Sequence, residues 1–369
     1  MTETAVAAAL TETPLARWLG SAGQGGLSVP FRGVLTPANL TPAALDAPRT
    51  EIAALAYGAA VHDLGWLRGV RVRGEDRFRW LSGMVTNMVN DLAPDGGAWN
   101  LVLNAQGRIQ GDLTVWRGSD ELELEIAADQ YNKLMAHLDH FIIMDDVELV
   151  PVAGVTAIGL TGPKAGEILT QIGVSPLAEP LTQTTVTGNG LDLVVRRGYG
   201  VLAEHYTLWV AEGSVGELWQ KLVTAGAQPA GTAALDAFSI AEGIPVYGVD
   251  IAERDLPQET SQMRALHFSK GCYLGQEIVE RIRSRGNVHR HLRQLELDHP
   301  PLTGQTELKL DGAVVGNLTS AAELPLPSGA RYFALAMLRA EAEVRNLPLT
   351  YTTAEGAGTA KILASPPAL

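Results

Sequence analysis

The chain has 369 residues, of which 46% are hydrophobic and 19% are charged, and its formal net charge is −13. These values are typical of a globular protein with two or three domains, and no apolar run approaches the roughly 18 residues of a membrane span. A single cysteine excludes an internal disulfide, and the acidic N-terminus does not have the pattern of a secretory signal, so we expect a cytoplasmic location and no membrane partner.

The first half of the chain contains one pattern twice. The stretch from Arg49 to Gly65 predicts a helix and a short strand. In both Gly69–Met84 and Val155–Gly173, apolar and polar residues then alternate up to a glycine, after which the spacing becomes helical. Strands, a second helix and a last strand follow both. The order β-α-β-β-α-β is that of a ferredoxin-like unit, and its recurrence indicates an internal duplication. We predict one domain at 66–150 and a central domain that combines 1–65 with 151–290.

The second half of the chain changes character near residue 291. A helix is predicted over Thr232–Gly243, with Gly243 in the C′ position that commonly ends helices. From His291 onward, short alternating segments are separated by turn residues, which is typical of a small β-barrel or sandwich. Residues 291–369 are therefore predicted to form a C-terminal β-domain, and the fold class is α+β.

The stretch KGCYLGQE, Lys270–Glu277, contains the only cysteine. Gly271 and Gly275 permit tight turns on both sides of it, and the residues after Gly275 have helical spacing. Cys272 is thus expected just before a helix N-terminus, where the helix dipole and Lys270 both favour a thiolate. The alternative is a buried, inert cysteine, which is the commoner case for a free thiol.

The region from Lys270 to Arg293 is basic in an otherwise acidic chain. Its charged residues are Lys270, Arg281, Arg283, Arg285, Arg290 and Arg293 against Glu277 and Glu280. One interpretation is a solvated helix face that balances acids elsewhere in the fold. The other is a surface for an anionic ligand or for RNA, with 281–293 as a candidate tRNA contact.

The sequence FSKGCYLGQEIVERIRSRGNVHRHL resembles the motif of the YgfZ family, folate-binding-type proteins linked to iron–sulfur protein assembly and tRNA modification. The matching residues are Lys270, Gly271, Cys272, Tyr273, Gly275, Gln276 and Glu277, and Arg281 continues the match. This resemblance implies an accessory protein that binds a folate and supports the maturation or repair of iron–sulfur client enzymes. Cys272, with Lys270 beside it, would be its functional thiol.

The wider chain from Tyr57 to Arg293 is similar to the glycine cleavage T-protein, an aminomethyltransferase. The similarity rests on His62–Leu64, Val85–Asn87, Leu101–Leu113 and Gly243–Asp250. It implies a three-lobed ring of two ferredoxin-like units and a barrel, with tetrahydrofolate in a central channel. The residues that match folate contacts are Asn104, Asp112, Tyr199 and Tyr247, so we expect these four to line one cavity, with Cys272 at its edge.

Three positions depart from the T-protein pattern. Gly111 replaces the first of two paired aspartates, Thr207 replaces a glutamate that would bind the pterin, and Ser239 replaces an arginine. Loss of a carboxylate removes a group that would assist the folate amine during aminomethyl transfer. The accessory function is therefore preferred, folate-dependent aminomethyl transfer is the alternative, and whether the chain is an enzyme stays open.

Overall fold

The structure is a computed structural model and describes residues 10–41, 46–188, 192–286 and 288–369. The N-terminal segment forms a helix, a hairpin, a second helix and a strand. These elements are α1 (Pro14–Ser21), β1 (Ser28–Phe31), β2 (Val34–Pro37), α2 (Ala47–Tyr57) and β3 (Ala60–Asp63). The Thr13 hydroxyl accepts from the Ala16 N–H at 3.1 Å and so caps α1. It also donates to the buried Asp63 carboxylate at 2.5 Å, which ties α1 to the end of β3.

The first α+β unit follows directly. Its elements are β4 (Leu67–Arg73), α3 (Arg77–Met84), β5 (Gly97–Leu103), β6 (Ile109–Arg117), β7 (Leu122–Ala127), α4 (Ala128–Asp139) and β8 (Glu148–Pro151). The strands form one sheet in the order β5-β6-β7-β4-β8, with antiparallel neighbours throughout. Apolar residues on one face of this sheet pack with α3 and α4 around Trp80, Leu124 and Leu134.

The second α+β unit repeats the first. Its elements are β9 (Val155–Thr161), α5 (Ala165–Gln171), β10 (Thr182–Val186), β11 (Leu193–Arg197), β12 (His205–Ala211), α6 (Val215–Thr224) and β13 (Gln228–Pro229). The sheet order is β10-β11-β12-β9-β3-β13. This is the order of the first sheet with β3 inserted before the last strand. The shared order supports the duplication, and the N-terminal segment completes the second unit.

Each unit has one strand more than the predicted β-α-β-β-α-β order. The additional strands, β5 and β10, stand at the edges of their sheets, and the stretch WNLVLN does predict β5 as a strand. The pattern did not predict β10 because it reads Thr-Gln-Thr-Thr-Val and is only partly buried, so no alternation of apolar residues marks it.

The connection to the C-terminal domain contains two further helices. Helix α7 (Thr232–Glu242) ends at Gly243, which has a φ of +71°, as the sequence predicted. Helix α8 (Gln276–Arg285) starts after Gly275, whose φ is +80°. Two short 3-10 turns, Pro257–Thr260 and Met263–Ala265, lie between them. Among the described helices, none is both long and apolar enough to cross a membrane.

The C-terminal residues form a closed β-barrel. Its elements are β14 (Arg290–Leu297), β15 (Glu307–Leu310), β16 (Ala313–Leu326), β17 (Gly329–Arg339), α9 (Ala340–Arg345), β18 (Leu349–Thr353) and β19 (Gly356–Ile362). The strand order around the barrel is β14-β17-β16-β15-β18-β19. The long β16–β17 hairpin also packs on α2 and α7, where Leu324 and Phe333 meet Phe238 in one buried cluster.

Candidate functional site

A cavity of about 270 Å³ lies where both α+β units, the β1–β2 hairpin and α7 meet. Its wall includes Phe31, Arg32, Trp66, Trp99, Asp112, Trp116, Tyr199, Thr207, Asp236, Ser239 and Arg264. Four of these are tryptophans or tyrosines: Trp66, Trp99, Trp116 and Tyr199. Of the four, only Tyr199 was predicted from the sequence as a folate contact. Flat aromatic walls with a few charged groups are typical of a site for a planar organic ligand.

Asp112 is held in this wall by two neighbouring side chains. Its two carboxylate oxygens accept from Trp99 Nε1 and Gln130 Nε2, both at 2.9 Å, and its backbone N–H donates to Gln130 Oε1. Alternation along β6 directs Asp112 to the cavity and the neighbouring Gly111 towards α4. A Cβ at Gly111 would lie 2.6 Å from Gln130 Oε1, so glycine at this position allows Gln130 to hold Asp112.

Several hydrogen-bond donors around the cavity have no partner in the protein. Arg32 Nη1, Trp66 Nε1, Trp116 Nε1 and Arg264 Nε are all buried and unpaired among the described residues. Buried polar groups in folded proteins are nearly always satisfied, by protein, water or ligand. These four donors belong to residues of the cavity wall but lie beneath its surface, so a ligand would reach them only after the side chains shift.

The two arginines of the cavity are held by aromatic rings. The Arg32 guanidinium lies 5.0 Å from the Trp66 ring centre, and the Arg264 guanidinium lies 3.9 Å from that of Tyr199 and 4.9 Å from that of Trp99. Burial lowers the pKa of Arg264. Neither arginine was singled out from the sequence, because only the fold brings them to these rings. The one local signal is the Phe-Arg-Gly turn at 31–33.

Asp236 on α7 is a third acid of the cavity wall, besides Asp112 and Glu125. Burial raises the pKa of its carboxyl group, the nearby Asp250 carboxylate raises it further, and Arg32 acts in the opposite direction. Asp236 therefore takes up a proton at a higher pH than an exposed aspartate would.

Two of the four predicted folate contacts, Asp112 and Tyr199, line this cavity, whereas Asn104 and Tyr247 do not. Asn104 lies in the β5–β6 turn, beyond the cavity, and its Oδ1 accepts from the N–H groups of Gln106 and Arg108. The Tyr247 hydroxyl accepts from Lys133 Nζ at 3.0 Å, and its ring packs against the buried cluster that contains Phe238. The expectation that all four share one cavity was thus wrong for these two.

Lys270 is buried and points away from solvent. Its ammonium group donates to the backbone carbonyls of Ser82, Val85 and Asn87 at 2.6–2.7 Å, which uses all three of its N–H bonds. Burial lowers its pKa to about 7, while the three carbonyls favour the protonated form. Lys270 therefore anchors the cysteine motif to the segment after α3.

The remaining motif residues also hold the loop in place. Tyr273 is 8% exposed and packs in the core shared with α7, and its N–H donates to Gln276 Oε1 at 3.3 Å. A Cβ at Gly275 would lie 2.5 Å from the Asn104 carbonyl oxygen, so only glycine permits the β5–β6 turn to approach α8 this closely. Gly271 and Glu277 are exposed.

Cys272 is exposed between these anchors. It does not belong to the wall of the central cavity, so the expectation that it lies at the cavity edge was wrong. The side chains of Lys270 and Tyr273 point into the protein, and the Cys272 side chain between them therefore stays on the surface. Arg281 lines a separate surface depression with Asn104 and Ile278. The side chain of Arg285 lies outside the described part of the structure.

The basic region near 281–293 is partly neutralised. Arg290 pairs with Asp255 at 2.8 Å and with Glu259 at 3.0 Å, and Glu343 pairs with both His291 and Arg293. Arg283 makes a longer contact of 3.4 Å to Glu280, and its guanidinium lies 4.4 Å from the Phe268 ring centre. The fold therefore neutralises Arg290 and Arg293 on β14, whereas Arg283 on α8 has a weaker ion pair.

The match to a protein-family model decides the relationship. Residues 21–270 match the GCVT N-terminal domain. The chain belongs to the GCVT family. The structure supports this, because it is similar to the glycine cleavage system aminomethyltransferase T from Bartonella henselae with a TM-score of 0.85 over 97% of this chain and 98% of that one. At 17% identity, this likeness shows a shared T-protein fold.

Curated relatives agree with this family. An aminomethyltransferase of Halalkalibacterium halodurans is 26% identical over 328 residues, 86% of this chain and 87% of its own length. A second, from Herpetosiphon aurantiacus, is 28% identical over 292 residues, 77% of this chain and 79% of its own. A chloroplastic protein of Arabidopsis thaliana, named as a transferase, is 26% identical over 267 residues, and the match spans 62% of that protein's length.

The three departures from the T-protein pattern occupy different places in the GCVT fold. Thr207 and Ser239 line the cavity, where they offer hydroxyl groups in place of a carboxylate and a guanidinium. Gly111 faces α4 instead, so its effect on the cavity is indirect and acts through Gln130. The charged groups of this cavity therefore differ from those of the T-protein pattern. Among its lining residues, the cations are Arg32 and Arg264.

Proposed function

We propose that this protein binds a reduced folate in the central cavity and serves as a YgfZ-like accessory protein for iron–sulfur enzymes, rather than as an aminomethyltransferase. The observation that carries the folate part is the cavity itself, in which Asp112 is fixed and four buried donors lack partners. A pterin ring presents both acceptors and N–H donors on a flat frame, so it matches this wall.

The protein groups have distinct tasks in this proposal. Trp66 and Trp116 donate their indole N–H groups to ring acceptors, and Asp112 accepts from ring N–H groups through its remaining lone pairs. Trp99 holds the Asp112 carboxylate in position and shields one side of the cavity from water. A bound tetrahydrofolate would supply one-carbon carrier chemistry at its ring nitrogens.

Folate binding can be tested by titrating the purified protein with tetrahydrofolate under anaerobic conditions and following the fluorescence of the cavity tryptophans. Saturable binding is expected, and Asp112→Asn should weaken it by about tenfold, because the new amide presents a donor where ring N–H groups need an acceptor. Asp311→Asn, an exposed aspartate of the barrel, is the matched control and should leave binding unchanged. A wild type that does not respond to tetrahydrofolate would refute the folate part.

The accessory part rests on the cysteine motif. Lys270, Tyr273 and Gly275 are committed to holding the loop, and the thiol they present is exposed. We propose that Cys272 contacts iron–sulfur client enzymes, among them enzymes that modify tRNA. In cells that lack this protein, the wild-type gene should restore client activity and Cys272→Ser should not. Ser284→Ala on the exposed face of α8 should restore it fully, and equal rescue by Cys272→Ser would exclude a role for the thiol.

Aminomethyl transfer is the second candidate, favoured by family membership and by the Asp112 carboxylate in the cavity. The test is ammonia release from an aminomethyl-loaded lipoyl carrier protein in the presence of tetrahydrofolate. Because Thr207 and Ser239 lack the charges of the T-protein pattern, we expect no release above background. Tetrahydrofolate-dependent release would favour the transferase over the accessory protein.

Direct binding of tRNA through 281–293 has less support. Arg290, His291 and Arg293 already pair with carboxylates, so few cations there are free for phosphates. A gel-shift titration with tRNA at physiological salt should therefore give at most weak binding.

A further inference from the structure

A surface depression of about 690 Å³ lies between α8 and the β5–β6 turn. Its apolar floor consists of Leu256 and of Ile278 and Ile282, which are four residues apart on α8. All three side chains are only partly buried, whereas Val279 on the inner face of α8 is fully buried in the core. The fold therefore leaves a strip of apolar surface at this depression that the protein itself does not cover.

Two arginines of this depression have no acidic partner. In the described ranges, neither Arg108 nor Arg281 has a carboxylate within ion-pair distance. Arg108 Nη1 donates to the Arg254 carbonyl oxygen, a neutral acceptor that holds the guanidinium in place and leaves its charge uncompensated. Glu277, which is exposed one turn before Arg281, is not among the lining residues. The described wall thus carries two positive charges and no negative one, on a chain with a net charge of −13.

The depression begins where the cysteine loop ends. Asn104 belongs to its wall, and a Cβ at Gly275 would lie 2.5 Å from the Asn104 carbonyl oxygen. Cys272 is three residues before Gly275, so their Cα atoms are at most about 11 Å apart. A polypeptide segment that lies in the depression would therefore reach the exposed thiol within a few residues of its own length.

We propose that this depression docks a segment of the client protein that combines acidic and aliphatic side chains, and thereby brings the client to Cys272. This docking rests on the accessory part of the proposed function and specifies the chemistry of the partner. The two guanidinium groups pair with carboxylates of the segment, while its aliphatic side chains cover Ile278 and Ile282.

A nucleic acid fits this surface less well than an acidic polypeptide. Its phosphates would also find the two cations, but proteins that bind single strands stack the bases on aromatic side chains. The described wall of the depression contains no aromatic residue, and its floor is aliphatic. The apolar floor therefore favours a protein partner.

Fluorescence anisotropy with three labelled probes tests this chemistry: a short peptide of leucine and glutamate, the same peptide with lysine in place of glutamate, and a short single-stranded RNA. The wild type should bind the acidic peptide at least about tenfold more tightly than either other probe. Ile282→Glu and Arg281→Glu should each weaken this binding about tenfold. Arg345→Glu, at an exposed arginine of the barrel, is the charge-matched control and should bind as the wild type does.

The double variant Arg108→Glu/Arg281→Glu should reverse the preference and select the lysine peptide. A reversed preference requires a folded depression, so it separates lost charge complementarity from unfolding. Equal wild-type affinity for the two peptides would overturn the proposed docking. Tighter binding of the RNA would overturn it in favour of a nucleic acid, and self-association that Arg281→Glu abolishes would overturn it in favour of a second copy of this chain.

Rescue of client activity in cells connects the depression to Cys272. Ile282→Glu should restore about tenfold less client activity than the wild type, while the alkylation rate of Cys272 in the purified variant stays unchanged. Full rescue by Ile282→Glu together with no rescue by Cys272→Ser would overturn the docking while the proposed function stands. Full rescue by Cys272→Ser would overturn the accessory function on which the docking rests.

Discussion

Lys270 and Asp63 are buried charged residues whose partners differ in kind. Lys270 is surrounded by three carbonyl acceptors, which need its protons. Asp63 accepts from the Thr13 hydroxyl and the Gly65 N–H, yet burial raises its pKa to about 6. Removing each charge should therefore affect stability in different ways.

Lys270→Met should lower the free energy of unfolding by about 2–4 kcal/mol, because it leaves the carbonyls of the 82–87 segment without a buried donor. Urea unfolding measures this, and Lys309→Met, at an exposed lysine of the barrel, should change stability little. A protease should also cleave this variant faster within residues 82–87. An unchanged unfolding midpoint would show that Lys270 does not anchor the motif.

Asp63→Asn should change how stability depends on pH. The folded-state pKa of Asp63, about 6, is above its ordinary 3.8, so the folded protein binds this proton more tightly and gains stability as pH falls through that window. Asparagine cannot titrate. The free energy of unfolding of wild type relative to Asp63→Asn should thus rise by about 2 kcal/mol between pH 7 and pH 4.5. A difference that stays constant with pH would contradict the raised pKa.

At the scale of elements, the start of α8 and the β5–β6 turn form one joint. Gly275 and Gly107 both have positive φ, and each would bring a Cβ within 3.0 Å of the other element. Asn104 shapes the turn through its side-chain hydrogen bonds. This joint fixes where the cysteine loop ends, so the loop position depends on a turn far away in sequence.

Gly275→Ala should destabilise the protein by about 2 kcal/mol or more, from backbone strain plus the contact with the Asn104 carbonyl oxygen. Gly286→Ala is a matched control at the other end of α8, since Gly286 has a similar φ of +68° but nothing within 4 Å of its Cβ position. Gly286→Ala should lower the free energy of unfolding through backbone strain alone, by about 1 kcal/mol. Chemical denaturation compares the two, and equal losses would show that the close approach carries no cost.

At the scale of the whole molecule, Arg196 is one of the residues that connect the two α+β units. Arg196 of β11 pairs with Glu123 at 2.5 Å and Glu125 at 2.9 Å, both on β7, and its side chain is 3% exposed. Its guanidinium lies 5.1 Å from the ring centre of Trp116 and 5.6 Å from that of Trp209. Backbone bonds from Gly97 to Leu181 join the sheet edges nearby. These contacts join the units beside the central cavity, because Glu125 is part of its wall.

Arg196→Met should therefore lower the free energy of unfolding by about 3–5 kcal/mol, because two carboxylates at the unit boundary lose their buried partner. It should also weaken any ligand of the central cavity, since Glu125 is part of its wall. Arg345→Met, which breaks an exposed pair with Asp311, should cost less than about 1 kcal/mol. A stability loss no larger than that of the control would show that Arg196 does not join the units.

Local patterns in the sequence were sufficient for much of the architecture. The duplication, the end of α7 at Gly243, the start of α8 after Gly275 and the change to short strands near residue 290 all depend on neighbouring residues. Periodicity and glycine conformation act over one or two turns of chain, so they can be read without knowing the fold. The polar edge strand β10 was missed because its pairing, not its own side chains, makes it a strand.

The cysteine motif and Asp112 were visible as sequence features, but the tertiary structure decided what surrounds them. Lys270 finds its acceptor Ser82 O 188 residues away, and Arg264 meets Trp99 and Tyr199 from separate units. Hydrogen bonds and stacking require atoms within a few ångströms, and no local pattern specifies which distant segments come that close. The sequence by itself thus determined the elements and their family, whereas packing of the units decided the cavity, its free cations and the outward direction of Cys272.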